Sequence, residues 1–374
     1  MRRFNFGGGV PDTGSFPTKE MAEAAVRAIN MLGGELAKYP GRGYEGLREI
    51  AAERFEWQTG VEISSRFIEL TSGAGQAIRI LAEYFIEPGD TIVTGEYSYS
   101  GILRASRYYK ARIIGIPMDD YGIKMDCLEQ SLAELAEQGI TPKFIYIVSN
   151  FQNPTGIVLP LQRRKRMLSL AKEYGMNIIE DDCYGDLRFE GEAVPAIRAL
   201  DDSETVVYIG SFSKILAAGV RLGYFITQDP LRRQIANIRM DGGTNLLASC
   251  IVAEYLKGNL KSHVAEVIEV LRRKRDTFFG SLEQHLGDLV SWTRPPGGPF
   301  VWLKLPDNTN TQVLDELAKE KGVVCRLGKA FHYNNEDVKY VRLAFSYPSL
   351  DEIREGIPVL AQAIQEAAEY GRSE

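Results

Sequence analysis

From about Arg66 to Thr227 the chain alternates short apolar, β-prone runs with stretches of helical periodicity. That alternation leaves few folds open. The runs are "FIEL", "TIVTG", "RIIGIP", "FIYIVS", "NIIED", "TVVYIG" and "LGYFIT". Strands this apolar must be covered on both faces, and amphipathic segments such as "GQAIRILAEYFI" and "LQRRKRMLSLAKEYG" supply the cover, the second with Gly175 as its C-cap. The expectation is an α/β fold with a mostly parallel, seven-stranded sheet in a large domain.

After Asp229 the texture changes. A long helical stretch, "LLASCIVAEYLKGNLKSHVAEVIEVLRRKRDTFFGSLEQHL", leads to strand-like "GGPFVWLKLP", "GVVCRLG" and "KYVRLAFS", then to a terminal helix. This reads as a smaller C-terminal α/β domain. The expected division is an arm over 1–45, a large domain over 46–245 and a small domain over 246–374. Partners follow from charge. A net charge of −6 gives no electrostatic case for nucleic acid or an anionic membrane. No apolar stretch approaches the roughly 18–20 residues that span a bilayer. The basic start "MRRFNFGGGVPDTG" lacks the apolar core of a secretory signal. Cys127, Cys183, Cys250 and Cys325 are scattered, and His263, His285 and His332 lie far apart, so neither a disulfide framework nor a metal site is expected. The expected location is cytoplasmic.

Four stretches carry chemistry. In "ELTSGAGQAIRIL", a strand ends, Gly73-Ala74-Gly75 turns and a helix begins, which makes a phosphate cradle of exposed N–H groups. A dinucleotide fingerprint would need a third glycine where Ile78 stands, although Glu96 sits about where its acidic residue would. In "SNFQNPTGIVLP", Asn153 follows a strand, either as part of a turn or as a partner for a polar ring substituent. In "NIIEDDCYGDLRF", Glu180, Asp181 and Asp182 end a strand where open α/β sheets bind ligands, and Tyr184 stands three residues beyond Asp181. They could be solvated carboxylates, or could face Mg²⁺, but no Walker lysine accompanies them. The fourth, "VVYIGSFSKILAAGVRLGY", holds Ser211, Ser213, Lys214 and Arg221. Ser-x-x-Lys suggests a hydrolase, yet the S-D-N and K-T-G strings that class needs are absent. A partly desolvated lysine beside Arg221 would have a lowered pKa and could form Schiff bases, while Arg221 suits a phosphate dianion.

One ligand has use for a phosphate cradle, an asparagine, an aspartate, a tyrosine, a lysine and an arginine at one sheet edge: pyridoxal phosphate. At this point the chain resembles the fold-type I pyridoxal-phosphate enzymes, class I/II aminotransferases, with the texture of the 2-aminoadipate-type enzymes and the aminotransferase-like domains of MocR regulators. The stretches "FGGGVPDTGSFP", "YPGRGYEGLREIAA", "TSGAGQAI", "QNPTG", "EDDCYGDLRF", "SFSKILAAGVRLGY", "RPPGGPFVWLKLP" and "VRLAFS" carry the resemblance over nearly the whole chain.

The resemblance implies that Lys214 bonds the cofactor and later moves the proton. Asp181 would pair with the pyridine nitrogen, and Asn153 and Tyr184 with the ring oxygen. Gly73, Ala74, Gly75, Ser211, Ser213 and Arg221 would hold phosphate. Tyr99 would stack on the ring. Tyr39 would reach the phosphate of a neighbouring subunit, which implies a homodimer with shared sites. Arg342, with Asn153 beside it, would bind the substrate carboxylate. Arg42, Tyr44 and Tyr97 would border the substrate pocket. Ala218, Gly75 and Tyr97 depart from the usual pattern. No winged-helix region precedes Phe4, which counts against a DNA-binding regulator. The expected activity moves an amino group between an L-amino acid and a 2-oxo acid. A lyase or decarboxylase on the same scaffold, a non-catalytic sensor and a nicotinamide oxidoreductase are the alternatives.

Overall fold

The computed structural model describes residues 3–373. Fifteen strands form four sheets. In chain order they are β1 (Phe4–Asn5), β2 (Ile68–Thr71), β3 (Thr91–Gly95), β4 (Arg112–Ile116), β5 (Met118–Asp119), β6 (Gly122–Ile123), β7 (Phe144–Ile147) and β8 (Asn177–Asp181). They continue with β9 (Val206–Ser211), β10 (Gly223–Ile226), β11 (Ser291–Trp292), β12 (Phe300–Lys304), β13 (Val323–Val324), β14 (Arg326–Leu327) and β15 (Tyr340–Ala344).

The large sheet has seven strands in the order β2-β10-β9-β8-β7-β3-β4. All seven correspond to the apolar runs of the sequence. β4, β3, β7, β8 and β9 are mutually parallel, and β10 runs antiparallel to both β9 and β2. Two antiparallel steps restore direction, so β2 ends at the same edge as β3, β7, β8 and β9, and β10 begins there. The inner strands β3, β7, β9 and β10 are buried along their whole length because helices cover both faces, while the edge strand β4 is largely half-buried. A second, four-stranded sheet has the order β11-β12-β15-β14.

Two local readings change. The long helical stretch is two helices, Leu246–Leu256 and Leu260–Leu286, broken where Gly258 takes φ 75°, a left-handed value that glycine adopts without a Cβ penalty. The first 45 residues hold a regular helix, Thr18–Leu32, whose Ala28 and Leu32 pack with Cys250. Its buried residues Met21, Ala24, Ala28 and Leu32 recur at helical spacing, a signal masked by the surrounding glycines and prolines. The strand before it, β1, pairs in parallel with β13. Among the described residues no helix is long and apolar enough to cross a membrane.

Candidate active site

The large sheet delivers its polar residues to one edge. Gly73 follows β2, Tyr99 follows β3 and Asn153 follows β7. Asp181 ends β8, Ser211 ends β9, and Arg221 precedes β10. This is the crevice at strand ends where open α/β sheets accept ligands.

The cradle is built by close backbone approach. Helix Ala74–Phe85 starts from Gly73 at φ 82° with no side-chain cap, so its first N–H groups are available to an anion. A Cβ on Gly73 would lie 2.9 Å from Arg221 Nη2, and one on Gly223 would lie 2.7 Å from the Ala74 nitrogen. Gly223 is therefore required by space, because it meets backbone, and Gly73 by its left-handed φ. Arg221 donates from Nη2 to the Ser72 carbonyl at 2.9 Å, which aims its fork at the helix start. Ser211 Oγ accepts from the Ser213 N–H at 3.1 Å and closes the far side. A Cβ on Gly75 would meet nothing within 4 Å, so the cradle has open space beside it.

Next to the cradle stand two buried charges with incomplete partners. Asp181 Oδ2 accepts from the Tyr146 hydroxyl at 2.6 Å, whereas its buried Oδ1 has no hydrogen-bond partner. Burial raises the Asp181 pKa, against Cys183 first and then the Tyr146 hydroxyl and Lys214, which lower it. A buried carboxylate oxygen of this kind calls for a donor. Tyr99 is close enough that, after burial, the Asp181 charge is the next cause of its raised phenol pKa. The second charge is Arg342, brought in on β15 from the smaller sheet and only 6% exposed. Its Nη1 donates to Asn153 Oδ1 at 3.0 Å, its Nη2 donates to the Gly7 carbonyl, and its Nε has no partner. The guanidinium lies 4.5 Å from the Phe300 ring centre and 5.0 Å from that of Phe331. No carboxylate of the described residues pairs with it, and burial depresses its pKa to about 10. It is a desolvated cation waiting for an anion.

Lys214 is within electrostatic reach of both. Its Nζ donates to the Gly9 carbonyl at 2.5 Å and stands 5.8 Å from the ring centre of Tyr184, which meets Phe300 edge-on. The Lys214 pKa is lowered, first by burial, then by Arg342 and least by Arg221, with Cys183 and Asp181 opposing. Arg221 had been the expected cation; the nearer influence is Arg342, which only the tertiary fold delivers.

Tyr39 is not gathered with these residues within one chain. It is 89% exposed and lies against Gly242. Arg42 pairs with Glu69, and Tyr97 packs among Trp302, His332 and Tyr340. Of the neighbouring acids, Glu180 accepts the Ile197 and Arg198 N–H groups at 2.9 Å each. Asp182, raised to about 6 by burial and then by Glu180, accepts from Asn150. Glu96 accepts from the Met118 N–H.

Three contributors escaped the sequence reading. The carbonyls of Gly7 and Gly9 touch Arg342 and Lys214. The only signal was the triple glycine of "FGGGV", quoted there without a role. Tyr146 resembled any other core residue of a buried strand. Arg54, fully buried, donates to the Ser211 carbonyl at 2.7 Å and to both oxygens of Asp186.

The residues present fit a pyridine ring bearing a phosphate and an aldehyde: a cradle, an orphaned carboxylate oxygen and a depressed amine lie in sequence along one crevice. Comparison with known proteins agrees. The family model "Aminotransferase class I and II" matches residues 3–360. The chain is 37% identical, over 96% of its length and 87% of the relative's, to aromatic-amino-acid aminotransferase 1 of Thermococcus litoralis. It superposes on the multiple substrate aminotransferase of Thermococcus profundus with a TM-score of 0.93 at 34% identity, covering 98% of this chain and 92% of that one. It also superposes on the Pyrococcus horikoshii kynurenine aminotransferase solved "in complex with PMP, KYN as substrates and KYA as products", with a TM-score of 0.92 at 34% identity, covering 98% and 91%.

Proposed function

The chain belongs to the class I and II aminotransferases, enzymes that use pyridoxal phosphate to move an amino group between an amino acid and a 2-oxo acid, and from that premise we propose which of its residues do the work and on which amino acids. The observation that carries the assignment is the pair of incompletely partnered buried charges, Asp181 and Arg342, that both act on Lys214.

When bound, the cofactor supplies an aldehyde for the amine and an electron sink for the α-carbon. Gly73, Ala74, Gly75, Ser211, Ser213 and Arg221 would hold its phosphate. Asp181 Oδ1 would accept from the ring nitrogen and keep it protonated. Asn153 and Tyr184 would serve the ring oxygen, and Tyr99 would lie against the ring. Arg342, oriented by Asn153, takes the substrate α-carboxylate and so fixes which α-substituent faces Lys214. Lys214 Nζ, whose pKa burial lowers, would accept the α-proton and return it. Replacing Arg342 with Gln is expected to raise KM for the amino acid and to lower kcat/KM by roughly 10²- to 10³-fold, since charge-assisted hydrogen bonds are lost. Steady-state kinetics with a fixed 2-oxo acid checks this.

For the substrate, we propose amino acids with aromatic side chains. The support is the ring wall of Phe300, Phe331, Tyr184 and Tyr99 around Arg342 and Lys214. Two of the similar enzymes, the aromatic-amino-acid and kynurenine aminotransferases, agree with it by name, while another, the 2-aminoadipate transaminase of Thermus thermophilus, is named for an acidic donor. The test is a panel of amino acids added to cofactor-loaded protein. Phenylalanine, tyrosine and kynurenine should bleach the visible absorbance and a 2-oxo acid should restore it. Preference for an acidic donor would overturn the assignment of side-chain class.

We also propose a homodimer, with an arm, large domain and small domain divided near residues 45 and 245. The support is an apolar surface: Met240 is 100% exposed and Tyr39 89%, with Val26, Ile29, Met31 and Leu36 also exposed on the Thr18–Leu32 helix and the segment after it. If Tyr39 serves the partner's phosphate, inactive Lys214→Ala and weakened Tyr39→Ala chains recover activity when mixed as hybrids. One site in each hybrid is then intact. Absence of recovery, with hybrids verified by mass, refutes shared sites.

A further inference from the structure

Residues 4–12 form a strap along the site. β1 anchors it beside β13, and the Phe6 carbonyl accepts from the Ala344 N–H at 2.8 Å. Three glycines follow, and at two of them the strap runs too close for side chains: a Cβ on Gly7 would lie 2.9 Å from Val324 Cγ1, and one on Gly9 would lie 2.5 Å from the Phe300 ring. The strap's carbonyls are thereby pressed against functional side chains. That of Gly7 accepts from Arg342, that of Gly9 from Lys214 Nζ, and that of Val10 from Ser346 Oγ at 2.7 Å.

What fixes the strap's far end is a buried lysine outside the crevice. Lys274, on helix Leu260–Leu286, is 4% exposed and donates to Asp12 Oδ1 and, at 2.7 Å, to the Ser346 carbonyl. It therefore grips the end of the strap and the residue that itself holds Val10. Ser346 lies four residues after Arg342, so the same ammonium ties the strap to the chain that carries the arginine. On its other side the pair borders a cavity of about 700 Å³. Asp12 is held there by the ion pair and by Ser15, whose hydroxyl donates to Asp12 Oδ2 at 3.1 Å.

We propose that Lys274 is a positioning residue for the amino-group transfer: by pinning Asp12 and Ser346 it sets where the Gly7 and Gly9 carbonyls meet Arg342 and Lys214. This rests on the roles proposed above for those two residues. The Gly7 carbonyl engages Nη2 of the guanidinium and Asn153 engages Nη1, which leaves Nε and the second N–H of each Nη for a carboxylate. The Gly9 carbonyl takes one N–H of the free amine and so directs its lone pair. A strap that drifts by an ångström loses both at once.

The test uses Lys274→Met, Lys274→Arg and Asp12→Asn in the full chain. Hydrogen–deuterium exchange of the Phe6–Asp12 amides is read on cofactor-free protein, and steady-state kinetics on loaded protein. Lys274→Met should speed exchange at the strap and lower kcat/KM for the amino acid by roughly 10- to 100-fold, mostly through KM. Lys274→Arg, which keeps the charge, should restore most of both. Should Lys274→Met fail to fold, Asp12→Asn removes the pairing charge from the half-buried side and should move both readouts the same way. Unchanged strap exchange overturns the proposal. Faster exchange with unchanged kcat/KM also overturns it, because the pair would then be only structural. The two levels separate cleanly: a Lys214→Ala protein that kept its visible band would overturn the site assignment, whereas unchanged strap exchange overturns only the part given to Lys274.

Discussion

Lys214→Ala abolishes the visible absorbance of the cofactor-loaded protein and lowers turnover by roughly four orders of magnitude, the upper range for a lost proton-transfer group. The effect is this large because one amine is proposed both to bond the cofactor and to move the α-proton, and no other lysine stands beside Asp181 and Tyr184 in the described site. Borohydride treatment followed by peptide mapping checks the attachment in the unmodified protein, and stopped-flow absorbance checks the rate. A visible band that survives both reduction and substitution contradicts the assignment. A pH dependence accompanies it. Burial, with Arg342 and Arg221 adding, lowers the folded pKa of Lys214 below its unfolded value. Between those two values the unfolded chain binds more protons than the folded one, so this group makes the cofactor-free protein more stable as pH rises through that window. In Lys214→Met that contribution to the pH dependence disappears, which denaturation midpoints across the alkaline range would register.

Arg54→Met destabilises the fold by about 3–5 kcal/mol, the cost of leaving one member of a buried ion pair alone. Both side chains of the Arg54–Asp186 pair are fully buried. Burial alone would depress the Arg54 pKa, but Asp186, with Tyr224 and Tyr208, raises it, so the guanidinium stays charged between the rings of Phe212 and Tyr224. A second consequence reaches the site. Arg54 also donates to the Ser211 carbonyl, so the variant loosens the end of β9 where the phosphate is proposed to sit. Urea unfolding of cofactor-free protein gives the first effect, and cofactor titration the second. In the double variant Arg54→Met/Asp186→Leu, most of the stability returns, because an apolar pair of similar volume carries no unpaired charge. Cofactor affinity stays low, because the Ser211 carbonyl still lacks its donor. Joint recovery of both quantities would show that Arg54 acts on the cradle only through global stability.

The sequence carried much of this protein openly. The inner strands β3, β7, β9 and β10 of the large sheet are buried along their whole length, so each appears as a short, largely apolar run whose boundaries match within a residue or two. The same sheet dictates that residues just past those runs share one edge. Gly73, Asn153, Asp181, Ser211, Lys214 and Arg221 are therefore expected together from the sequence alone. Weak local signals hid other elements. The helix Thr18–Leu32 lies among turn-forming residues, and Gly258 divides what reads as a single helix.

Partnerships between distant segments were the part no local pattern could hold. Lys274 meets Asp12 across 262 positions, and Arg342 meets Gly7 across 335. Neither contact leaves a periodicity or a spacing to read. The strap's contribution is further hidden because it is made by backbone carbonyls, which every residue carries. The sequence by itself determined the sheet, the crevice and the chemical groups at its edge, since burial and turn geometry are written residue by residue. Only the tertiary structure decided which buried charges lack partners, which cation acts on Lys214 and what holds the glycine strap in place. Those depend on distances through space, and folding sets them all at once.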